Sequence, residues 1–199
     1  MQGFNAIRLF FNHESIVQNR RIPEHITSCG FDCGYPTGDT DYNHVKYAPE
    51  LINTTQVGMF KRIAQAAAQR HMLIMLVAVK CTPRSKRKQP PGGLWYEPTF
   101  PEARVLRSWN AIAAGLCDQW NVFAMDLQNE PWAASWGDGS AALDWSSAAS
   151  RLGRNLQRQC ARWLLFVEGV GNTPGAHGVS WEHNRLPFWG ENFRGECHV

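Results

Sequence analysis

The sequence predicts an α/β fold in which parallel strands alternate with crossover helices. Three observations carry that prediction. Strand-length apolar runs alternate with helical periods in the order strand, helix, strand, helix, strand, helix, strand, the pattern of parallel pairing through helical crossovers. The run from Met72 to Val79 (MLIMLVAV) is apolar throughout, as expected of a parallel strand covered on both faces. The run from Val122 to Trp132 (VFAMDLQNEPW) starts apolar and ends in a polar tip, where Asn129 and Glu130 precede Pro131. Proline cannot donate to a sheet ladder and holds its predecessor extended, so the tip emerges at a strand end with a carboxamide and a carboxylate. Two architectures satisfy this order, a doubly wound open sheet and part of an eightfold barrel. No glycine-rich phosphate loop opens a helix, so nucleotide binding has no support.

Composition bounds the rest. A chain of 199 residues suggests one domain with a substantial core. With 44% hydrophobic and 19% charged residues, the balance argues against disorder. A formal charge of +3 is too mild to call for a nucleic-acid partner. No apolar run approaches the roughly 18 residues of a membrane-spanning helix, and no secretory signal is visible, because Met1 leads almost at once into a strand-like segment. Six irregularly spaced cysteines do not read as a zinc site. Cys29 and Cys33 lie close together among turn residues, compatible with a local disulfide, but spacing leaves the pairing open.

Taken in order, Phe4 to Phe11 is the first strand, with Arg8 its one charge; a charge inside an apolar strand calls for a partner or solvent. Residues 12 to 55 read as a long loop over a cleft. Val57, Phe60, Ile63, Ala64 and Ala67 follow helical spacing to about Arg70, and Met72 to Val79 follows as a strand. The basic stretch Lys80 to Lys88 reads as a solvated loop ahead of a nucleic-acid or nuclear-import segment. Trp95 suits either a sugar-stacking position or the core. Thr99 and Glu102 form a capping-box pattern with Pro101 in the first turn. Val105, Trp109, Ile112, Ala113, Leu116 and Trp120 then share one helical face. Asp144 is placed to cap a last helix, whose apolar stripe is Trp145, Ala148, Ala149, Leu152, Leu156 and Cys160. Arg151, Arg154, Arg158 and Arg162 form its solvent side. Trp163 to Glu168 is the final strand, and residues 169 to 199 hold no clear element.

Several of these stretches, in order and spacing, resemble glycoside hydrolase family 5, the cellulase family. Asn5, Ile7, Arg8 and Leu9 match its second-strand "N-x-I-R-L", with Phe10 in place of proline. Leu94, Trp95 and Tyr96 match an "LWY" stretch. Asn129, Glu130 and Pro131 match the Asn-Glu-Pro that ends the fourth barrel strand. Trp136 and Gly137 match a WG loop, Trp145 opens a similar helix, and Val167, Glu168 and Gly169 match the fifth strand's "VEG". FWGENFRG at 188 to 195 resembles a later loop. The third strand departs, with Val77 and Val79 where the family commonly has Asp-x-His.

The resemblance implies an incomplete (β/α)8 TIM barrel, running roughly from the second to the fifth or sixth strand unit, with residues 1–199 as one partial catalytic domain. Such barrels usually need about 250 residues, and the family's nucleophile would lie beyond Val199. It also implies double displacement at a β-linked glycosidic bond, with Glu130 as acid/base and a second carboxylate about 5–5.5 Å away as nucleophile. Asn129, Arg8 and Trp136 become substrate-binding residues, Asn129 toward the sugar 2-hydroxyl and Arg8 in a supporting, non-reacting role. Glu168 is a support residue, and Glu182, Glu191 and Glu196 have no better claim as nucleophile. The implied partner is a β-linked polysaccharide or oligosaccharide met outside the cell, with no cofactor, metal, nucleic acid or membrane. An inactive carbohydrate-binding or vestigial barrel fragment is the alternative, motivated by Val77, Val79 and the absent nucleophile. These 199 residues alone are expected neither to hydrolyse glycans nor to fold stably as a monomer.

Overall fold

A computed structural model of the chain describes residues 3–22, 49–82 and 93–170. Four strands form one sheet: β1 (Ala6–Asn12), β2 (Leu73–Lys80), β3 (Val122–Asp126) and β4 (Leu164–Phe166), side by side in the order of the chain. Every neighbouring pair is parallel, as the alternating pattern requires. The order runs in one direction among the described strands, without the reversal that marks a doubly wound sheet. The helices are α1 (His13–Gln18), α2 (Gln56–Ala68), α3 (Glu102–Leu116) and α4 (Trp145–Gln159).

The two faces of the sheet differ. Ile74, Leu76, Ala78, Met125 and Leu127 pack on one face with Phe60, Val105, Trp109, Ile112, Leu152 and Leu156 from the helices. The stripes read from helical spacing are the buried ones, from Val57 to Ala67 in α2 and from Trp145 to Leu156 in α4. Strand register builds the other face in rows. Arg8 lies level with Met75, Ala124 and Leu164, and the next row holds Phe10, Val77, Asp126 and Phe166. Paired residues of parallel neighbours point the same way, so an arginine and an aspartate project from this otherwise apolar face. Leu164 and Phe166 remain 59% and 43% exposed.

Helix ends correct several expectations. Asp144 caps α4, accepting from the Ser146 and Ser147 amides, but Thr99 caps nothing. Pro101 takes the N-cap of α3 and offers no side-chain hydrogen bond, because Glu97 and Phe100 first close a backbone turn on each other. Glu102 turns outward from the expected box. It accepts from the Trp95 indole at 2.8 Å and from Arg151 at 2.9 and 3.0 Å. Trp95 is therefore a core residue, fully buried. Trp120 falls beyond the end of α3 and is exposed, not on its buried face. Arg162 is not a free solvent charge; its guanidinium donates to the carbonyls of Cys117, Gln119 and Trp120 and closes the orphan end of α3.

Two further features set the packing. Cys117 and Cys160 form a disulfide between the C-terminal ends of α3 and α4; Cys29 and Cys33 lie outside the described residues. His13 is buried between Phe11, Phe100 and Trp109, with its Nδ1 3.0 Å from the Ser108 hydroxyl. Burial pushes its imidazole down to about 3, so it is neutral.

Gly115 brings α2 and α3 together. A Cβ at that position would sit 2.3 Å from the Val57 Cγ1 atom, closer than atoms can approach without a shift. Alanine gains about 1 kcal/mol of helix propensity over glycine, whereas overpacking costs about 1–3 kcal/mol. Gly115→Ala is therefore expected to destabilise the protein in denaturant titrations, and Gly115→Ala combined with Val57→Ala to relieve the overpacking. A Gly115→Ala protein more stable than the parent would refute this packing.

Candidate active site

The site forms where the sheet's polar tips emerge. Past the end of β3 the chain stays in the sheet for three more residues. The Leu127 amide donates to the Phe166 carbonyl, and the Asn129 amide donates to the Ala78 carbonyl at 2.7 Å. Buried Gln128 ties the same stretch to the Val79 carbonyl. Then Glu130 breaks the pattern. Its φ is +49°, a left-handed conformation costly for a residue with a side chain unless the surroundings hold it. The turn closes through the Trp132 amide, which donates to the Glu130 carbonyl at 2.8 Å. The Glu130 side chain is exposed at the C-terminal end of the strands.

Glu168 holds that conformation. Its Oε2 accepts the Glu130 amide at 2.8 Å, and its Oε1 accepts Arg8 Nη2 at 2.6 Å. Its own backbone is fixed by the Trp145 indole, which donates to the Glu168 carbonyl at 2.8 Å. The same Nη2 atom of Arg8 also meets Asp126 Oδ2 at 2.7 Å and Asn129 Oδ1 at 3.1 Å. Arg8 further lies over the Phe10 ring, 5.1 Å from its centroid. Burial pushes Asp126 up to about 7; the Glu168 carboxylate adds to the shift and Arg8 opposes it.

Arg8, Asn129 and Glu130 are thus brought together, and Glu168 is the residue that supports them. Trp136 sits on the loop between β3 and α4 and packs partly against the core. That loop is moored to Asp144, which accepts the Gly137 and Gly139 amides at 2.9 and 3.2 Å. Burial opposes ionisation of Asp144, but these amides and the Ser146 and Ser147 donors hold it down to about 2. Asp126 is the residue that motif reading missed. Its signal was an acid within an apolar strand, matched by one arginine within another.

This chain is similar to endoglucanases over almost its whole length. It is 29% identical to an endoglucanase of Paenibacillus polymyxa, aligned over 98% of this chain and 42% of that protein. It is 36% identical over 99 residues to the major extracellular endoglucanase of Xanthomonas campestris pv. campestris, covering 48% of this chain and 20% of that protein. Among solved structures, the endocellulase from Pyrococcus horikoshii in complex with cellotetraose superposes with a TM-score of 0.66 at 28% identity, over 92% of this chain and 46% of that one. The catalytic domain of the Xanthomonas endoglucanase gives 0.64 at 26% identity, over 86% and 43%. The chain thus spans less than half the length of the relatives it matches. No family model matches it.

Among the described residues no cluster of histidine, cysteine or acidic side chains could hold a metal ion. No described helix is long and apolar enough to cross a membrane. Of the basic stretch, residues 83–88 lie outside the described residues, as do Glu182, Glu191, Glu196 and the 188–195 motif.

Proposed function

We propose that the chain carries the acid/base half of a retaining β-glucan hydrolase, an endo-β-1,4-glucanase of the family 5 type. The observation that carries this reading is Glu130, exposed at the C-terminal end of a parallel sheet beside Asn129 and Arg8, in a chain similar to endoglucanases along its length. Chemistry sits at that end of the strands in (β/α)8 barrels. The one-directional strand order favours such a barrel, as do Phe10, Val77 and Phe166, the apolar members of the row that also holds Asp126, which curvature of the sheet would enclose.

Glu130 protonates the leaving oxygen in the first step and takes a proton from water in the second. Asn129, its backbone N–H donating to the Ala78 carbonyl and its Oδ1 accepting from Arg8, hydrogen-bonds the 2-hydroxyl. Trp136 offers a ring to a sugar face. Glu168, with one oxygen on Arg8 and the other on the Glu130 amide, serves as support; the nucleophilic carboxylate is assigned outside the described residues. The disulfide of Cys117 and Cys160 suits an oxidising, extracellular setting, where a polysaccharide substrate is met.

A second reading, carbohydrate binding without hydrolysis, is favoured by β2. Val77 is fully buried and Val79 half-buried, so neither gives a sugar hydroxyl a polar partner. The two readings part in one experiment. The complete protein is expected to release cello-oligosaccharides from soluble β-1,4-glucan, with the β-anomer first in proton NMR of the fresh products. Binding of cellotetraose without any release would establish the second reading, and α-anomer first would exclude double displacement.

A further inference from the structure

Two carboxylates converge on one nitrogen of Arg8, and the mechanism above uses neither as a reacting group. Nη2 carries two hydrogens, yet it faces Asp126 Oδ2, Glu168 Oε1 and Asn129 Oδ1 within 3.1 Å. One guanidinium balances one negative charge, so a second anion beside it would stand uncompensated. The two acids are not equivalent. Glu168 is partly exposed, accepts a backbone amide through its other oxygen and is firmly paired. Asp126 is buried, and its Oδ1 has no hydrogen-bond partner among the described residues. A buried carboxylate oxygen without a donor is costly, whereas a neutral acid at the same place can donate to its neighbour. The other strand facing this pair, β2, presents Val77 and supplies no charge. Among the described residues the charged groups that act on Asp126 are Arg8 on β1 and Glu168 after β4.

We propose that Asp126 is a neutral carboxylic acid that donates its proton to Glu168, and that this hydrogen-bonded pair, clasped by Arg8, positions Glu130 by gripping its amide. The proposal rests on reading Glu130 as the acid/base, and Asp126 and Glu168 are positioning residues within that reading. The arrangement has a direct consequence for the turn. The left-handed backbone at Glu130 is held through its N–H, and the acceptor that holds it is placed by Arg8, by the Trp145 indole and by the proton of Asp126. A neutral Asp126 leaves Glu168 with its full charge for that bond. Burial and the neighbouring carboxylate both favour the protonated form of Asp126, in agreement with its upward shift.

Difference infrared spectroscopy and amide exchange on the complete protein test this without any turnover. At about pH 6, where ordinary carboxyls are ionised, the parent-minus-Asp126→Asn difference spectrum is expected to show a carboxylic-acid C=O band that shifts in D2O, distinct from the band of the acid Glu130, which is removed by Glu130→Gln. A parent whose carboxylic-acid bands are all unchanged in Asp126→Asn overturns the proposal. The Glu130 amide is expected to exchange about tenfold faster in Glu168→Ala and in Asp126→Leu, as the loss of a charged hydrogen bond implies. It should stay slow in Asp126→Asn, whose carboxamide still donates. The amides of Leu76 and Met125 report general loosening; if they accelerate equally, the effect is global and the positioning role is wrong. If band and exchange behave as expected while β-glucan is left uncut, the positioning pair stands and the acid/base assignment of Glu130 falls.

Discussion

Glu130→Gln in the complete protein is expected to lower kcat/KM on β-1,4-glucan by roughly 10²–10⁴-fold, the usual contribution of a positioned general acid. The leaving oxygen of a glucan chain is a poor leaving group and must be protonated as the bond breaks. Glutamine keeps the size of the side chain but cannot supply the proton. An aryl cellobioside with a strongly acidic phenol needs little protonation, so its first step should be affected far less. The fold should be spared, because the bond that holds residue 130 is made by its backbone amide to Glu168, and the side chain is exposed. Circular dichroism of the variant should therefore match the parent. Cleavage of β-glucan at the parental rate would remove Glu130 from the chemistry. An equal loss on both substrates would instead assign it to substrate binding.

Replacing Cys117 and Cys160 with serine is expected to cost about 4 kcal/mol of stability. The two cysteines lie 43 residues apart and join the C-terminal ends of α3 and α4. Closing a loop of that length removes about this much unfolded-chain entropy. Domains are stable by only about 5–15 kcal/mol, so the loss is a large share of the total. For a domain of this size it corresponds to a fall in Tm of roughly 8–16 °C. Helix C-termini in this sheet lie toward the N-terminal ends of the strands, away from Arg8, Asn129 and Glu130. Activity per folded molecule should accordingly stay near the parental value at low temperature. Arg162 continues to close the end of α3 in the variant, since it bonds backbone carbonyls and not the sulfurs. A Tm lowered by less than about 2 °C would show that the crosslink constrains little that the packing does not already fix.

The sequence by itself determined the α/β class and the parallel pairing. Both follow from local periods: two-sided apolar runs such as Met72 to Val79, and stripes such as Trp145, Ala148, Ala149, Leu152 and Leu156, which the folded chain buries. It also marked Arg8, Asn129 and Glu130, because charges and amides stand out against an apolar strand or at its tip. Asp144 could be read as a cap because capping joins residues two or three apart. Where that same logic gave Thr99, a backbone turn between Glu97 and Phe100 intervened and Pro101 took the cap. Tertiary structure alone decided what joins residues far apart. Arg8 meets Asp126 across 118 positions and Glu168 across 160, and Cys117 meets Cys160 through the packing of two helices. No period or short motif encodes such distances. The partner of a buried charge is set by strand order and register, and these exist only once the sheet has formed. Asp126 therefore stood out in the sequence only as one acid among apolar neighbours, with nothing to say which charge it would meet. Its pairing partner, Arg8, comes from β1, two strands away in the sheet.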